Sequence, residues 1–196
     1  MVARRKPSKS QIHQLKITLL NTEPPIWRRV LILNNLTLGD LHDVIQISMG
    51  WNDAHLHQFR QGEISYSDPE FELDENPEIE VIDEQKVKIS QVLAKPKDAL
   101  IYEYDFGDGW RHLIELETPT AKNEEIPDVP ICLEGQRSCP PEDCGGTYAY
   151  LEMLKSPKNP KDPHYQELKD WLPDGFSPDF FDLRRVNYVL YKVFGV

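Results

Sequence analysis

The sequence predicts an α+β domain: a mainly antiparallel sheet, one helix in the amino-terminal half, and a helical cluster at the carboxyl end. Three observations carry this. Strand-like segments come in consecutive pairs separated by turn residues, at 12–33 and at 99–117. One clear helical pattern, 38–49, lies between the pairs. The remaining helix signals all follow residue 145, so strands and helices do not alternate as in a βαβ fold.

Ile12 to Leu20 is rich in β-formers and partly alternating, and Asn21-Thr22-Glu23-Pro24-Pro25 breaks it. Ile26 to Leu33 gives a second strand. Thr37 is placed to cap a helix whose apolar residues Leu38, Leu41, Ile45 and Met49 share a face, and Gly50 ends it. After Trp51, His55 to Gln61 reads as an edge strand. Asp68 to Glu84 holds nine acidic residues and no Lys or Arg. Like charges at that density resist packing, which predicts an exposed acidic insert near 68–84. Lys86 to Leu93 resumes as a short strand or turn. Ala99 to Phe106 and Trp110 to Glu117 are the clearest strands, and Pro119 to Pro130 is a loop. Thr147 to Leu154 forms a helix after Gly145-Gly146, and His164 to Trp171 a short one stopped by Pro173. Ser177-Pro178-Asp179 opens a terminal helix with Leu183, Val186, Leu190 and Val193 on one face. The division expected is a flexible basic tail over 1–11, containing Arg4, Arg5, Lys6 and Lys9, and a single domain over 12–196.

Composition excludes several function classes. The 196 residues carry 22 Lys and Arg against 33 Asp and Glu, a net charge of −11. A broad nucleic-acid surface needs clustered cations, so that balance disfavours one. No apolar run approaches the ~20 residues of a membrane span. No apolar signal core follows the basic start, and an odd count of three cysteines argues against a closed disulfide framework; both fit a cytoplasmic protein.

Register sharpens the segment around Gly107-Asp108-Gly109. A three-residue loop with Gly109 in the left-handed region pairs Phe106 with Trp110, Tyr104 with His112, Tyr102 with Ile114 and Leu100 with Leu116. One face is then apolar and aromatic; the other pairs Asp105 with Arg111. A two-residue loop would set each aromatic opposite a charge, which a half-buried sheet disfavours. His112 therefore points inward as a core histidine, a metal ligand or a proton-transfer group. Asp105 stands at the rim, and Asp108 shapes the turn.

Cys132 to Gly146 holds all three cysteines, spaced Cys-x6-Cys-x4-Cys rather than as the Cys-x2-Cys pairs of a zinc ribbon. Cys132, Cys139 and Cys144 with His112 nevertheless make a Cys3His donor set for zinc, structural if all four bind and open to water if one does not. Glu142 and Asp143 follow the stiff Pro140-Pro141, and with His112 and Asp105 they are the catalytic candidates. The simpler reading is a rigid loop packed over the hairpin.

The motifs Pro25-Ile26-Trp27-Arg28-Arg29, Leu41-His42-Asp43-Val44-Ile45-Gln46, Met49-Gly50-Trp51 and His55-Leu56-His57-Gln58-Phe59 precede Tyr102 to His112 and Cys132 to Gly146 in fixed order. In these the chain resembles the plasmid pRiA4b ORF-3-like family, from about residue 12 to the end. The resemblance implies an α+β domain associated with plasmid or mobile-element genes, without an established activity. It does not require cysteine at position 144.

Three functions compete. The first is a binding or interaction module for a protein or small ligand, with His42, His55 and His57 as structural or rim residues. The second is a metal- or thiol-dependent hydrolase using His112 and the Cys132–Cys144 loop, with zinc as its cofactor. The third, a DNA-associated accessory protein, is suggested by the family's genetic setting and opposed by the charge.

Overall fold

The structure, a computed structural model, describes residues 11–71, 73, 81–117, 130–155, 172 and 175–195. Eight strands form one sheet: β1 (Ile12–Leu19), β2 (Ile26–Leu33), β3 (His57–Gln61), β4 (Ile64–Ser67), β5 (Val81–Asp83), β6 (Ala99–Tyr104), β7 (Trp110–Glu117) and β8 (Ile131–Gln136). Their spatial order is β5-β4-β3-β6-β7-β1-β2-β8, antiparallel throughout except for β4 with β5. The α-helices among the described residues are α1 (Leu38–Met49), the single turn α2 (Ile89–Val92), α3 (Gly146–Lys155) and α4 (Leu183–Phe194). This is the α+β architecture that the sequence predicts.

α1 follows its sequence to the residue. Thr37 Oγ1 accepts from the Asp40 amide at 3.1 Å, and Asp40 Oδ2 accepts from the Thr37 amide at 2.7 Å. These reciprocal bonds satisfy two otherwise orphaned donors. Gly50 adopts φ 92° and donates its amide to the Gln46 carbonyl at 2.8 Å, ending the helix. The helix buries Leu38, Leu41, Val44, Ile45 and Met49 in one core with sheet residues. Ile17, Tyr102, His112 and Ile114 share that sheet face by register.

The hairpin keeps its predicted faces but not its predicted pairing. Tyr104 lies opposite Trp110, Tyr102 opposite His112 and Leu100 opposite Ile114. The strands slip by two positions relative to the expectation, so side-chain parity survives. The loop is longer because Asp105 takes φ 55° and its carbonyl accepts from the Gly109 amide at 2.6 Å. Phe106 consequently leaves the core and is 41% exposed. Asp105 is buried and not opposite Arg111, which faces Glu103 instead.

Other expectations are corrected. β3 is an interior strand between β4 and β6, not an edge. β4, β5 and β8 were not expected; β5 makes the end of the expected exposed insert a half-buried strand paired with β4, and the first cysteine lies in a strand rather than a loop. Residues 86–93, expected as a short strand or turn, contain the single helical turn α2. The terminal helix starts at Leu183 with Asp182 as its cap, not at Ser177, and Val193 is exposed while Leu190 is buried. Glu84, the last residue of the expected acidic insert, is buried. Residues 72 and 74–80 of that insert, most of the basic tail, 118–129 and the expected helix at 164–171 lie outside the described residues.

Candidate metal centre

Strand β6 and the hairpin loop place Tyr104 and Asp105 at the sheet end nearest the segment linking α1 to β3. The Asp105 amide donates to the Leu56 carbonyl at 2.9 Å, fixing the two segments side by side. Asp105 Oδ1 accepts from the amides of Gly107 and Asp108 at 3.0 and 3.2 Å. That bond pattern shapes the turn and turns Oδ2 toward His55, whose Nε2 lies 3.7 Å away.

The loop after β8 completes the cluster. Trp51 Nε1 donates to the Pro140 carbonyl at 2.9 Å, and Asn52 Nδ2 to Glu142 Oε2 at 2.8 Å. Tyr104 donates its hydroxyl to Glu142 Oε1 at 2.5 Å, and burial and that carboxylate both raise its pKa. The Gly145 amide donates to Asp108 Oδ2 at 3.1 Å. So anchored, the loop carries Asp143 Oδ1 to 3.2 Å from His55 Nε2. His55 Nε2 is sealed from solvent yet makes no aligned hydrogen bond with either carboxylate.

The donor atoms of His55, Asp105 and Asp143 all lie within 4.8 Å of one another. Two donors held ~2.1 Å from one ion at tetrahedral or octahedral angles stand roughly 3.0–3.4 Å apart. The observed 3.2 and 3.7 Å approach that spacing. One imidazole nitrogen and two carboxylate oxygens suit a first-row divalent metal.

A second histidine group lies deeper. His42 and His57 stack with ring centroids 3.5 Å apart, at 9°. His57 Nε2 meets Glu84 at 3.1 Å, His42 Nε2 meets Asp53 Oδ1 at 3.0 Å, and His42 Nδ1 meets the Tyr102 hydroxyl at 2.8 Å. Gln46 Nε2 donates to the same hydroxyl at 2.9 Å. Burial, then the neighbouring His57, pushes the His42 pKa down to about 3, so its ring is neutral. The donor atoms of His42, Asp53 and His57 also lie within 4.8 Å. Parallel rings aim their lone pairs side by side rather than at one point, and Glu84 and Tyr102 already occupy two of the nitrogens. We read this group as a polar network that holds α1 and β3 against β6.

The sequence-derived candidates separate into two sets. Asp105 and Asp143 meet at the rim, with Glu142 beside them on Tyr104. His112 does not join them: it is 0% exposed, edge-on to Trp51 with centroids 5.3 Å apart and 5.5 Å from the Tyr102 ring. Burial pushes its pKa down to about 3, against a smaller upward pull from the Trp110 and Tyr102 backbone. Neither ring nitrogen has an aligned hydrogen-bond partner. Among the described residues, the clusters of three or more metal-capable side chains are the two above, and neither contains a cysteine or His112. Burial raises the thiol of Cys132 to about 11 and those of Cys139 and Cys144 to about 12, so all three are protonated at neutral pH. His55 is the residue that sequence reasoning assigned to a structural or rim role. Its signal was the His55-Leu56-His57 motif, which spaces two histidines by two residues at the entry to β3, where they meet Tyr104 and Tyr102 on one face of β6.

A depression of about 630 Å³ on the other sheet face is lined by Lys16, Arg29, Glu115, Glu117 and Glu134 among others. Three of its charges pair with one another: Arg29 meets Glu117 at 2.6 Å and also Glu134, and Gln14 donates to Glu117 at 2.8 Å.

Residues 11–185 match the family described as plasmid pRiA4b ORF-3-like protein. Uncharacterized protein y4hQ of Sinorhizobium fredii is 34% identical over 165 residues, 83% of this chain and 81% of its own. The crystal structure of the protein of unknown function MM3350 from Methanosarcina mazei Go1 is similar at a TM-score of 0.76 and 32% identity, covering 90% of this chain and 98% of that one. Among the described residues, no helix is long and apolar enough to cross a membrane.

Proposed function

The chain belongs to the plasmid pRiA4b ORF-3-like family, and from that premise we propose that it is a binding module whose centre is a divalent metal ion held by His55, Asp105 and Asp143. One observation carries the reading. Three separate segments, each within a motif that marks the family resemblance, deliver their donors to a single point where the His55 nitrogen is left without a hydrogen bond. Three protein donors leave a coordination position for an outside ligand, whereas a structural zinc site is closed by four. The ligand of the module is accordingly a small molecule or side chain with an oxygen or nitrogen donor. The family's name supports a plasmid or mobile-element setting for the gene. The charge of −11 argues against DNA as the ligand.

The open position also favours a second reading, a metal-dependent hydrolase in which bound water is the nucleophile. Its candidate groups shift from the cysteine loop and His112 to the rim cluster, with Glu142 held beside it by Tyr104 and Asn52. Protonated thiols remove the support for a thiolate nucleophile.

Dialysis against Mn2+ or Zn2+ followed by elemental analysis tests the centre. The intact protein is expected to retain about one equivalent, and His55→Ala and Asp143→Asn less than about a tenth. Asp105→Asn keeps the turn-forming Oδ1 acceptor and is expected to fold with metal affinity reduced about tenfold or more. Cys132→Ser, His112→Phe and Asp53→Asn are expected to retain the ion. Retention in His55→Ala, or loss in Cys132→Ser, would overturn the assignment.

A further inference from the structure

Arg28 is a large, fully buried cation, 1% exposed, in the sheet face under α1. Its Nε donates to the Ser48 carbonyl at 2.8 Å, and its Nη1 to the carbonyls of Trp27 and Gln136 at 2.8 and 3.0 Å. All three acceptors are neutral. Among the described residues no carboxylate lies within ion-pair distance of it, and Nη2 makes no hydrogen bond. Arg28 is nevertheless one of the residues that line an adjoining pocket. Buried charges are ordinarily paired, because an uncompensated one carries a large desolvation cost. The ionisable groups that act on it are the thiols of Cys132 and Cys139. Burial keeps both protonated at neutral pH, so neither supplies the missing negative charge.

The space beside Arg28 is a pocket of about 450 Å³ between the last turn of α1 and the first turns of α4. That volume falls within the usual range for small-ligand sites. Trp51, Phe176, Phe180 and Phe181 line it, with Arg28 and Arg185 as its cations. Phe181 stacks on the Arg28 guanidinium 4.0 Å from its ring centroid. Gly135 makes that stack fit, since a Cβ there would run into both Phe181 and the Arg28 side chain. The one acid in the lining, Asp182, spends its Oδ1 on the Arg185 amide at 2.9 Å as the cap of α4.

We propose that this pocket binds a small organic anion with a flat apolar body, an aromatic carboxylate. The carboxylate meets Arg28 Nη2 and Arg185, and the ring lies among the four aromatic side chains. The inference is independent of the metal centre, although Trp51 and Asn52 form a wall of this pocket and also hold the loop that carries Asp143.

Amide chemical-shift titration of the full chain with 1-naphthoate, and with neutral 1-naphthamide as its isostere, tests this. Saturable shifts centred on Gly50, Asn52, Ser138 and Val189 are expected with the anion. The amide should bind at least about tenfold more weakly, as loss of a charged hydrogen bond implies. Arg185→Gln is expected to weaken the anion several-fold, and Val189→Trp, which fills the pocket from its rim, to abolish its shifts. Both positions are on the surface helix, so neither variant depends on replacing Arg28 itself. Equal binding of acid and amide, binding that survives Val189→Trp in a folded protein, or no shift at about 10 mM anion would each overturn the proposal.

Discussion

His112 sits where an aromatic core meets a titratable ring, and the outcome is a histidine kept neutral. An unfolded histidine titrates near 6.5, whereas this one is pushed down to about 3. Between those values the unfolded chain takes up a proton that the fold refuses, so stability falls as pH drops below about 6.5. Each such histidine contributes up to about 1.4 kcal/mol per pH unit; His42 adds a second, and His13, also lowered by burial, acts in the same direction. Glu117, held low by Arg29, adds to the loss only at more acid pH. Asp43 and Asp53, raised by burial, act in the opposite sense there. Urea midpoints between about pH 5 and 6.5 cover the range in which the histidine contribution is lost, with Asp43 and Asp53 opposing it. His112→Phe removes two unpartnered buried nitrogens and is expected to fold with equal or greater stability. It should also lose up to about half of the pH slope. A slope unchanged from the parent protein would show that His112 is not the group responsible.

At the scale of elements, legibility followed how local the determinant was. α1 was readable to the residue because its start, its face and its stop are all short-range: Thr37 with Asp40, the apolar spacing, and Gly50. Thr37→Ala should cost about 1 kcal/mol by urea denaturation, and an unaffected midpoint would mean the cap is redundant. The hairpin was half readable. Alternation fixed which side chains face the core, but a left-handed Asp105 set the pairing, and no propensity rule favours aspartate there strongly enough. β8 was invisible because Ile131 to Gln136 contains a glycine and two polar residues and owes its extension to β2 beside it. The contact between loop and hairpin depends on Gly146, which has φ 78° and whose Cβ would overlap the Asp108 carbonyl oxygen. Gly146→Ala should cost about 1–3 kcal/mol or more and release Asp143 from His55. Gly39→Ala is the contrast: there the added Cβ meets only the movable end of Gln85. Equal behaviour of the two variants, in stability and in metal retention, would deny the loop its anchoring role.

Across the whole molecule the rim cluster was unreadable for a topological reason. His55, Asp105 and Asp143 come from segments about 40–50 residues apart, and only the order β3-β6 together with the loop after β8 brings them to one sheet end. The same topology leaves β8 at an edge, where unpaired backbone groups invite another chain. α4 covers that edge with a side chain that imitates a strand. Asn187 Oδ1 accepts from the Cys132 amide at 2.8 Å, and its Nδ2 donates to the Cys132 carbonyl at 2.9 Å. Both Cys132 groups therefore point away from β2, and one amide side chain completes them. Asn187→Ala would leave two buried backbone groups without partners, a cost of about 2–4 kcal/mol by urea denaturation. It would also reopen the edge, so faster aggregation by light scattering should accompany the lost stability. Cys132→Ser leaves those backbone bonds intact, and its aggregation rate should follow its stability alone. If Asn187→Ala, compared at matched stability, aggregates no faster than Cys132→Ser, the terminal helix is not an edge guard. The Asn187 bonds would then act only as local ties between α4 and the sheet.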